Sequence, residues 1–146
     1  MMLWMSPPAE AAPGLWFGAH GGLEPKPYVV VCLSSHDSCP ALQANTLLVR
    51  LPLQDGQVPP PAELEDLTKL ISSLLDEDKI VRVACDLGLN RSGLVAARVL
   101  IERGMTAEDA IRQVRSVRRG ALGSDPAGLF RKAGLAYAGW LMSRRW

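Results

Sequence analysis

Histidine and cysteine are both scarce in this chain, and neither falls into a pattern that holds metal. There are two histidines, His20 and His36, and three cysteines, Cys32, Cys39 and Cys85, with no C-x-x-C pair among them. Cys32, His36 and Cys39 are the only group worth weighing as zinc ligands, and their spacing fits no usual ligand set, so no metal is expected. The odd cysteine count speaks against a disulfide framework and for a reducing compartment. Cys32 reads as a buried strand residue, and His36 and Cys39 as loop residues. No apolar run approaches the roughly 20 residues that cross a bilayer. Residues Met1 to Ser6 lack the basic start and continuous apolar stretch of a signal peptide. The expectation is a soluble cytoplasmic protein with no membrane contact. Repeats and low-complexity linkers are absent too, and 146 residues suffice for one domain with its own core.

What is present has the balance of a folded chain, with 48% hydrophobic and 21% charged residues. The net charge of +1 hides an uneven distribution. Residues 1–80 carry 4 basic and 10 acidic side chains, and residues 81–146 carry 12 and 5. Such asymmetry either marks an anion-binding face or cancels when the halves interleave.

Residues 1–14, rich in Pro, Ala and Met, read as a flexible arm, and 15–146 as a single domain. Leu15–Gly18, Tyr28–Leu33, Thr46–Leu51 and Ile80–Ala84 are strand candidates; the second is β-branched and lacks polar alternation, as a fully buried strand does. Between the last two, Leu64, Leu67, Ile71, Leu74 and Leu75 keep a 3.6-residue period, predicting a helix over 62–75. Further helices are predicted from Ser92 to Arg103, from Thr106 to about Val117, and from Ser124-Asp125-Pro126 onward, where Ser124 would cap and Pro126 fit the first turn. Alternating strands and helices followed by helices alone imply an α/β fold. Its central, mostly parallel sheet would be flanked by helices, with a largely helical C-terminal half. Ligands of such sheets bind beyond the carboxyl ends of the strands, where Cys85 falls.

The segment Cys85-Asp86-Leu87-Gly88-Leu89-Asn90-Arg91-Ser92 joins a buried strand to a helix through a short loop with one glycine. Successive N–H groups of Asp86, Leu87, Gly88, Leu89, Asn90 and Arg91 can form an anion nest, reinforced by the helix N-terminus. Gly88 permits a backbone turn that a side chain would hinder. Arg91 can grip two phosphate oxygens with a bidentate fork. The same field favours a thiolate at Cys85, whose sulfur can attack phosphorus and form a phosphocysteine. Ser92 is placed to hydrogen-bond that sulfur when it leaves. Asp55, before Gly56 in a Pro- and Gly-bounded loop, is a candidate acid for the leaving oxygen and otherwise a plain Asp-Gly turn residue.

The run C-D-L-G-L-N-R-S-G resembles the CxxGxxR[ST]G signature of the dual-specificity branch of the protein tyrosine phosphatase superfamily. Leu51 to Pro59 resembles that family's general-acid loop, about thirty residues before the cysteine, and Arg115 to Leu122 resembles the Arg-rich segment before its last helix. The resemblance implies a phosphomonoester hydrolase without cofactor or metal, acting on phosphotyrosine, with phosphoserine and phosphothreonine as further candidates, in a phosphorylated protein or peptide. It makes Cys85 the nucleophile, Arg91 the phosphate binder, Ser92 the assistant of the leaving thiolate and Asp55 the general acid. Two positions depart from the pattern. Ala84 stands where the family usually has His, and Asp86 places a carboxylate beside the nucleophile, expected to point outward. Arg112, Arg115, Arg118 and Arg119 read either as a solvated face or as a ring around the pocket.

Two alternatives stay open on sequence. Gly88-Leu89-Asn90-Arg91 is similar to the GxNR variant of capping-type RNA 5′-triphosphatases, which typically lack the acid; nucleic acid is a partner only in that case. Ala84 keeps open a catalytically inactive phosphate-binding pseudophosphatase. Oligomeric state is not encoded in any pattern found.

Overall fold

The computed structural model describes residues 8–20, 25–34, 45–128 and 130–146. The parallel strands form where the sequence predicts them: β2 (Leu15–Ala19), β3 (Val29–Cys32), β4 (Leu47–Arg50) and β5 (Val81–Cys85). A fifth strand, β1 (Ala9–Ala12), falls within the stretch expected to be an arm, and pairs antiparallel with β2. The Pro13-Gly14 turn brings it back, with Gly14 at φ +83° and its carbonyl accepting the Val81 amide. Spatial order is β1-β2-β5-β3-β4, with all pairs but the first parallel.

Helices α1 (Pro61–Asp76), α2 (Arg91–Glu102), α3 (Ala107–Val117) and α4 (Arg131–Met142) complete the fold. The α1 stripe buries Leu64, Leu67, Ile71 and Leu75, as its period predicts. Every residue of α2 from Arg91 to Ile101 is buried, because it lies against β2 and β5 with the other helices packed around it. Each fully buried Leu or Val there contributes about 1.5–3 kcal/mol relative to exposure.

The last helix begins later than expected, at Arg131 rather than near Ser124. Asp125 explains the delay: its side chain accepts the Ala127 amide and its carbonyl the Gly128 amide, so Asp-Pro closes a turn of its own. Just before it, Leu122 and Gly123 sit in left-handed backbone at φ +52° and +77°, which no helix continues through.

Cys32 is buried at the end of β3 but is disulfide-bonded, not the thiol that the odd count suggested. Its partner lies outside the described residues, as do His36 and Cys39; a cysteine count does not say which sulfurs meet in space. Among the described residues no helix is long and apolar enough to cross a membrane.

Candidate active site

Three parallel strands, β2, β5 and β3, stop at one level: Ala19 pairs with Cys85, and Cys32 with Ala84. Cys85, at the end of the middle one, is 1% exposed and a free thiol. Its sulfur accepts the Gly88 N–H at 3.2 Å and lies 3.4 Å from the Ser92 hydroxyl, which is itself buried at the start of α2. Gly88 takes φ +67°, and a Cβ there would stand 2.0 Å from the Ala19 nitrogen. The glycine is therefore required twice, by its backbone angle and by the chain of β2 pressed against it.

The carbonyls of the loop turn the other way. Arg118, 4% exposed, donates from Nε to the Gly88 carbonyl and from a terminal nitrogen to that of Leu87. Burial lowers its guanidinium pKa, and Cys85 opposes that shift. With two carbonyls held outward, the Gly88 N–H faces the sulfur. Arg118 is thus neither a solvated residue nor part of a pocket rim. Arg115 donates to the Leu122 carbonyl at 2.7 Å and braces the left-handed turn, while Arg112 is exposed and pairs with Asp109. The Arg-rich text was the signal, but it did not say which arginine goes inside.

Arg91 is also buried, donating to the Leu53 carbonyl at 3.0 Å and to Asp86 at 3.4 Å. Asp86 does not simply point outward. It is partly exposed, yet its carboxylate pairs with Arg91 and accepts the Ser34 hydroxyl at 2.9 Å. Ser34 in turn is 2.5 Å from His20 Nε2, and His20 lies 3.8 Å from Asp86. Burial is the main cause holding the His20 pKa below its ordinary value; the Asp86 charge pulls it upward, and Arg82 and Arg91 push it down again. His20, Ser34 and Asp86 each directly follow or lie just beyond the end of a parallel strand. That position was the available signal for the first two, which sequence reasoning did not pick out.

Asp55 reaches the same place from the other direction. Leu53 is buried and the turn Gln54–Gln57 closes by a Gln57 N–H to Gln54 carbonyl bond. One Asp55 oxygen lies 3.4 Å from the Asn90 amide nitrogen, and the other is buried with no hydrogen-bond partner. Asn90 also donates to the Phe130 carbonyl at 2.9 Å. Cys85, Arg91, Ser92 and Asp55 therefore converge, joined by Asn90, while Leu87 and Leu89 line the loop as backbone. Among the described residues no three His, Cys, Asp or Glu side chains converge as a metal site. A cysteine loop with an arginine, a hydroxyl and a nearby carboxylate can hold a tetrahedral dianion and exchange a group at sulfur.

The family model for the dual specificity phosphatase catalytic domain matches residues 29–131. The chain belongs to this family. Protein tyrosine phosphatase type IVA 3 of Bos taurus is 38% identical over 98 residues, 66% of this chain and 57% of that protein. Type IVA 2 of Mus musculus is 35% identical over 98 residues, covering 66% and 59%. The chain thus spans well under two thirds of the length of these curated relatives. Among solved structures, Tk-PTP in its active form superposes with a TM-score of 0.73 at 22% identity, covering 97% of this chain and 100% of the other. Human DUSP28 gives 0.70 at 21%, covering 92% and 98%. At such identities the likeness is one of fold. The dual-specificity family expected from the signature loop and the α/β architecture expected from the order of strands and helices are both borne out.

Proposed function

We propose that this chain is a cysteine-dependent phosphomonoester hydrolase that dephosphorylates phosphotyrosine in proteins, with phosphoserine and phosphothreonine as further candidate substrates. The observation that carries the proposal is Cys85 Sγ held between the Gly88 N–H and the Ser92 hydroxyl, with Arg91 buried alongside. In the first step the thiolate attacks phosphorus and the ester oxygen departs with a proton from Asp55. The equatorial oxygens are held by loop N–H groups and by Arg91, which exchanges its contacts with Leu53 and Asp86 for the phosphate. In the second, Asp55 takes a proton from water, water attacks the phosphocysteine, and sulfur leaves as a thiolate accepting the Ser92 hydrogen bond. No metal takes part in either step.

Ala84 removes a histidine but not the loop geometry, since Arg118 and the Gly88 packing against Ala19 hold it from other sides. That favours an enzyme over an inactive binding module. Asn90, the residue shared with the triphosphatase variant, is engaged with Asp55 and Phe130, which favours acid-assisted ester cleavage. The substrate class follows the relatives, which are protein tyrosine phosphatases by name.

The test is hydrolysis of an aryl phosphate and of a phosphotyrosine peptide with EDTA present, comparing the wild type with Cys85→Ser and Asp55→Ala. Turnover that is lost in the first variant and slowed in the second supports the mechanism. An inert wild type, or a Cys85→Ser variant that still turns over, overturns it.

A further inference from the structure

A Pro- and Gly-bounded loop carrying a general acid would be expected to move, yet this one is tied down from the far end of the chain. Tyr137, on α4, is fully buried and places its hydroxyl at the centre of the Gln54–Gln57 turn. The oxygen accepts the Gly56 N–H at 2.9 Å and lies 3.1 Å from both the Gln54 and Gln57 carbonyls. One phenol has one proton, so the two carbonyls share it while the Gly56 amide occupies a lone pair. Three backbone groups of a four-residue turn thus depend on one side chain some eighty residues away. Burial, with the Asp55 charge adding to it, pushes the phenol up to about 12, so the hydroxyl keeps its proton at any physiological pH.

The turn is secured at its other end as well. Arg91 donates to the Leu53 carbonyl, and Asn90 bridges one Asp55 oxygen to the Phe130 carbonyl just before α4. The second Asp55 oxygen is buried and has no hydrogen-bond partner, so it is free to meet a leaving oxygen. Gly56, at φ +86°, lets the chain present its N–H to Tyr137 directly after Asp55.

We propose that Tyr137 is a positioning residue for proton transfer: it holds the Asp55 turn against the phosphate loop before substrate binds, so the acid need not be delivered by loop closure. This rests on Asp55 being the general acid. Tyr137 makes no contact with phosphate itself, and its effect is confined to the proton transfers that pass through Asp55, of which kcat/KM reads the one to the leaving oxygen.

Leaving-group dependence tests it, using the full chain with Tyr137→Phe, Asp55→Asn and the double variant. Two substrates are compared, phenyl phosphate, whose leaving group needs a proton, and difluoromethylumbelliferyl phosphate, whose leaving group needs it far less. For Tyr137→Phe the ratio of kcat/KM on the second substrate to that on the first should rise by roughly 10-fold or more. Asp55→Asn should raise it further, and the double variant should match Asp55→Asn alone. Equal losses on both substrates, or additive effects in the double variant, overturn the positioning role. If Asp55→Asn shows no leaving-group dependence, the acid assignment fails and the proposal falls with it; if only Tyr137→Phe lacks it, the acid stands and the positioning role does not. A second measurement is independent of turnover: amide exchange at Gly56 should accelerate by about 10-fold or more in Tyr137→Phe, as expected when a buried donor loses its partner. Unchanged exchange would show that the hydroxyl does not hold the turn.

Discussion

The phosphate loop and the Asp55 turn face each other across a few ångströms and are built in opposite ways. The loop is one unbroken peptide between a strand and a helix; Cys85, Gly88, Arg91 and Ser92 occupy it because each is needed within a few residues of the next. The turn has a hydrogen bond of its own, from the Gln57 N–H to the Gln54 carbonyl, and otherwise leans on distant residues. Its carboxylate is met by Asn90, its base by Arg91 and its backbone by Tyr137, all distant in sequence. The loop therefore carries its chemistry in its text, whereas the turn acquires its role only when the chain closes around it. Damage to the loop should abolish function or folding, and damage to the turn should slow only the proton transfers that pass through Asp55.

The largest effect should come from Cys85→Ser, with loss of turnover below detection and an unchanged melting temperature, since a hydroxyl replaces the thiol in a site 1% exposed. Survival of activity would mean that chemistry does not pass through the loop at all. Gly88→Ala should follow closely. Its new methyl has 2.0 Å to the Ala19 nitrogen and a φ of +67° to tolerate, so a stability loss of about 4 kcal/mol or more is expected in urea titration. A mild effect would show the loop to be less tightly pressed on β2 than the turn is on α4.

Asp55→Ala tests the other side of the comparison. Phosphotyrosine peptide turnover should drop by roughly 10²- to 10⁴-fold, with inorganic phosphate binding retained. A loss in phosphate binding of the same size would place Asp55 in the loop's framework rather than in proton transfer. Arg118→Met blurs the boundary usefully, because Arg118 is distant in sequence yet serves the loop. Leaving the Gly88 and Leu87 carbonyls unpaired should cost about 1–3 kcal/mol, and kcat/KM should fall on all aryl phosphates alike, without leaving-group dependence.

The smallest effect concerns His20, beside the loop but outside it. Its folded-state pKa is lowered from 6.5, chiefly by burial. Below that pH the unfolded chain takes up a proton that the folded protein refuses, so stability declines on acidification until the folded value is reached. Histidine at this position contributes nothing to the pH dependence well above 6.5, where both states are neutral. His20→Asn should therefore flatten the fall in urea midpoint between about pH 7.5 and pH 5. An unchanged slope would mean the Asp86 charge cancels the effect of burial, and a steeper fall that it outweighs it.

Much of the architecture was legible before folding. The run Val29–Cys32 is short and β-branched, which favours a buried strand over a buried helix segment, and the stripe Leu64, Leu67, Ile71 and Leu75 keeps the 3.6-residue period of a helix. β1 was not, because Ala9–Ala12 has no strand-forming residues and is held by pairing with β2 and by the Gln113 side chain of α3, which donates to the Ala11 carbonyl. The start of α4 was misplaced because Ser124-Asp125-Pro126 can cap a helix or close a turn with the same atoms, and the left-handed Leu122 and Gly123 decide for the turn.

In the candidate site the division follows reach. That Cys85, Gly88, Arg91 and Ser92 sit together in one loop at a helix N-terminus was legible in the sequence, since such a loop is made by neighbouring residues. Asp55 was a candidate with an equally plain alternative. Only tertiary structure brought Asn90 to it, put Tyr137 beneath its turn, buried Arg118 rather than Arg112 behind the loop, and turned Asp86 toward Arg91. Those outcomes depend on which buried polar groups find partners when helices pack on the sheet. That is a property of the closed chain, because hydrogen bonds across eighty residues leave no period or motif in the sequence that makes them.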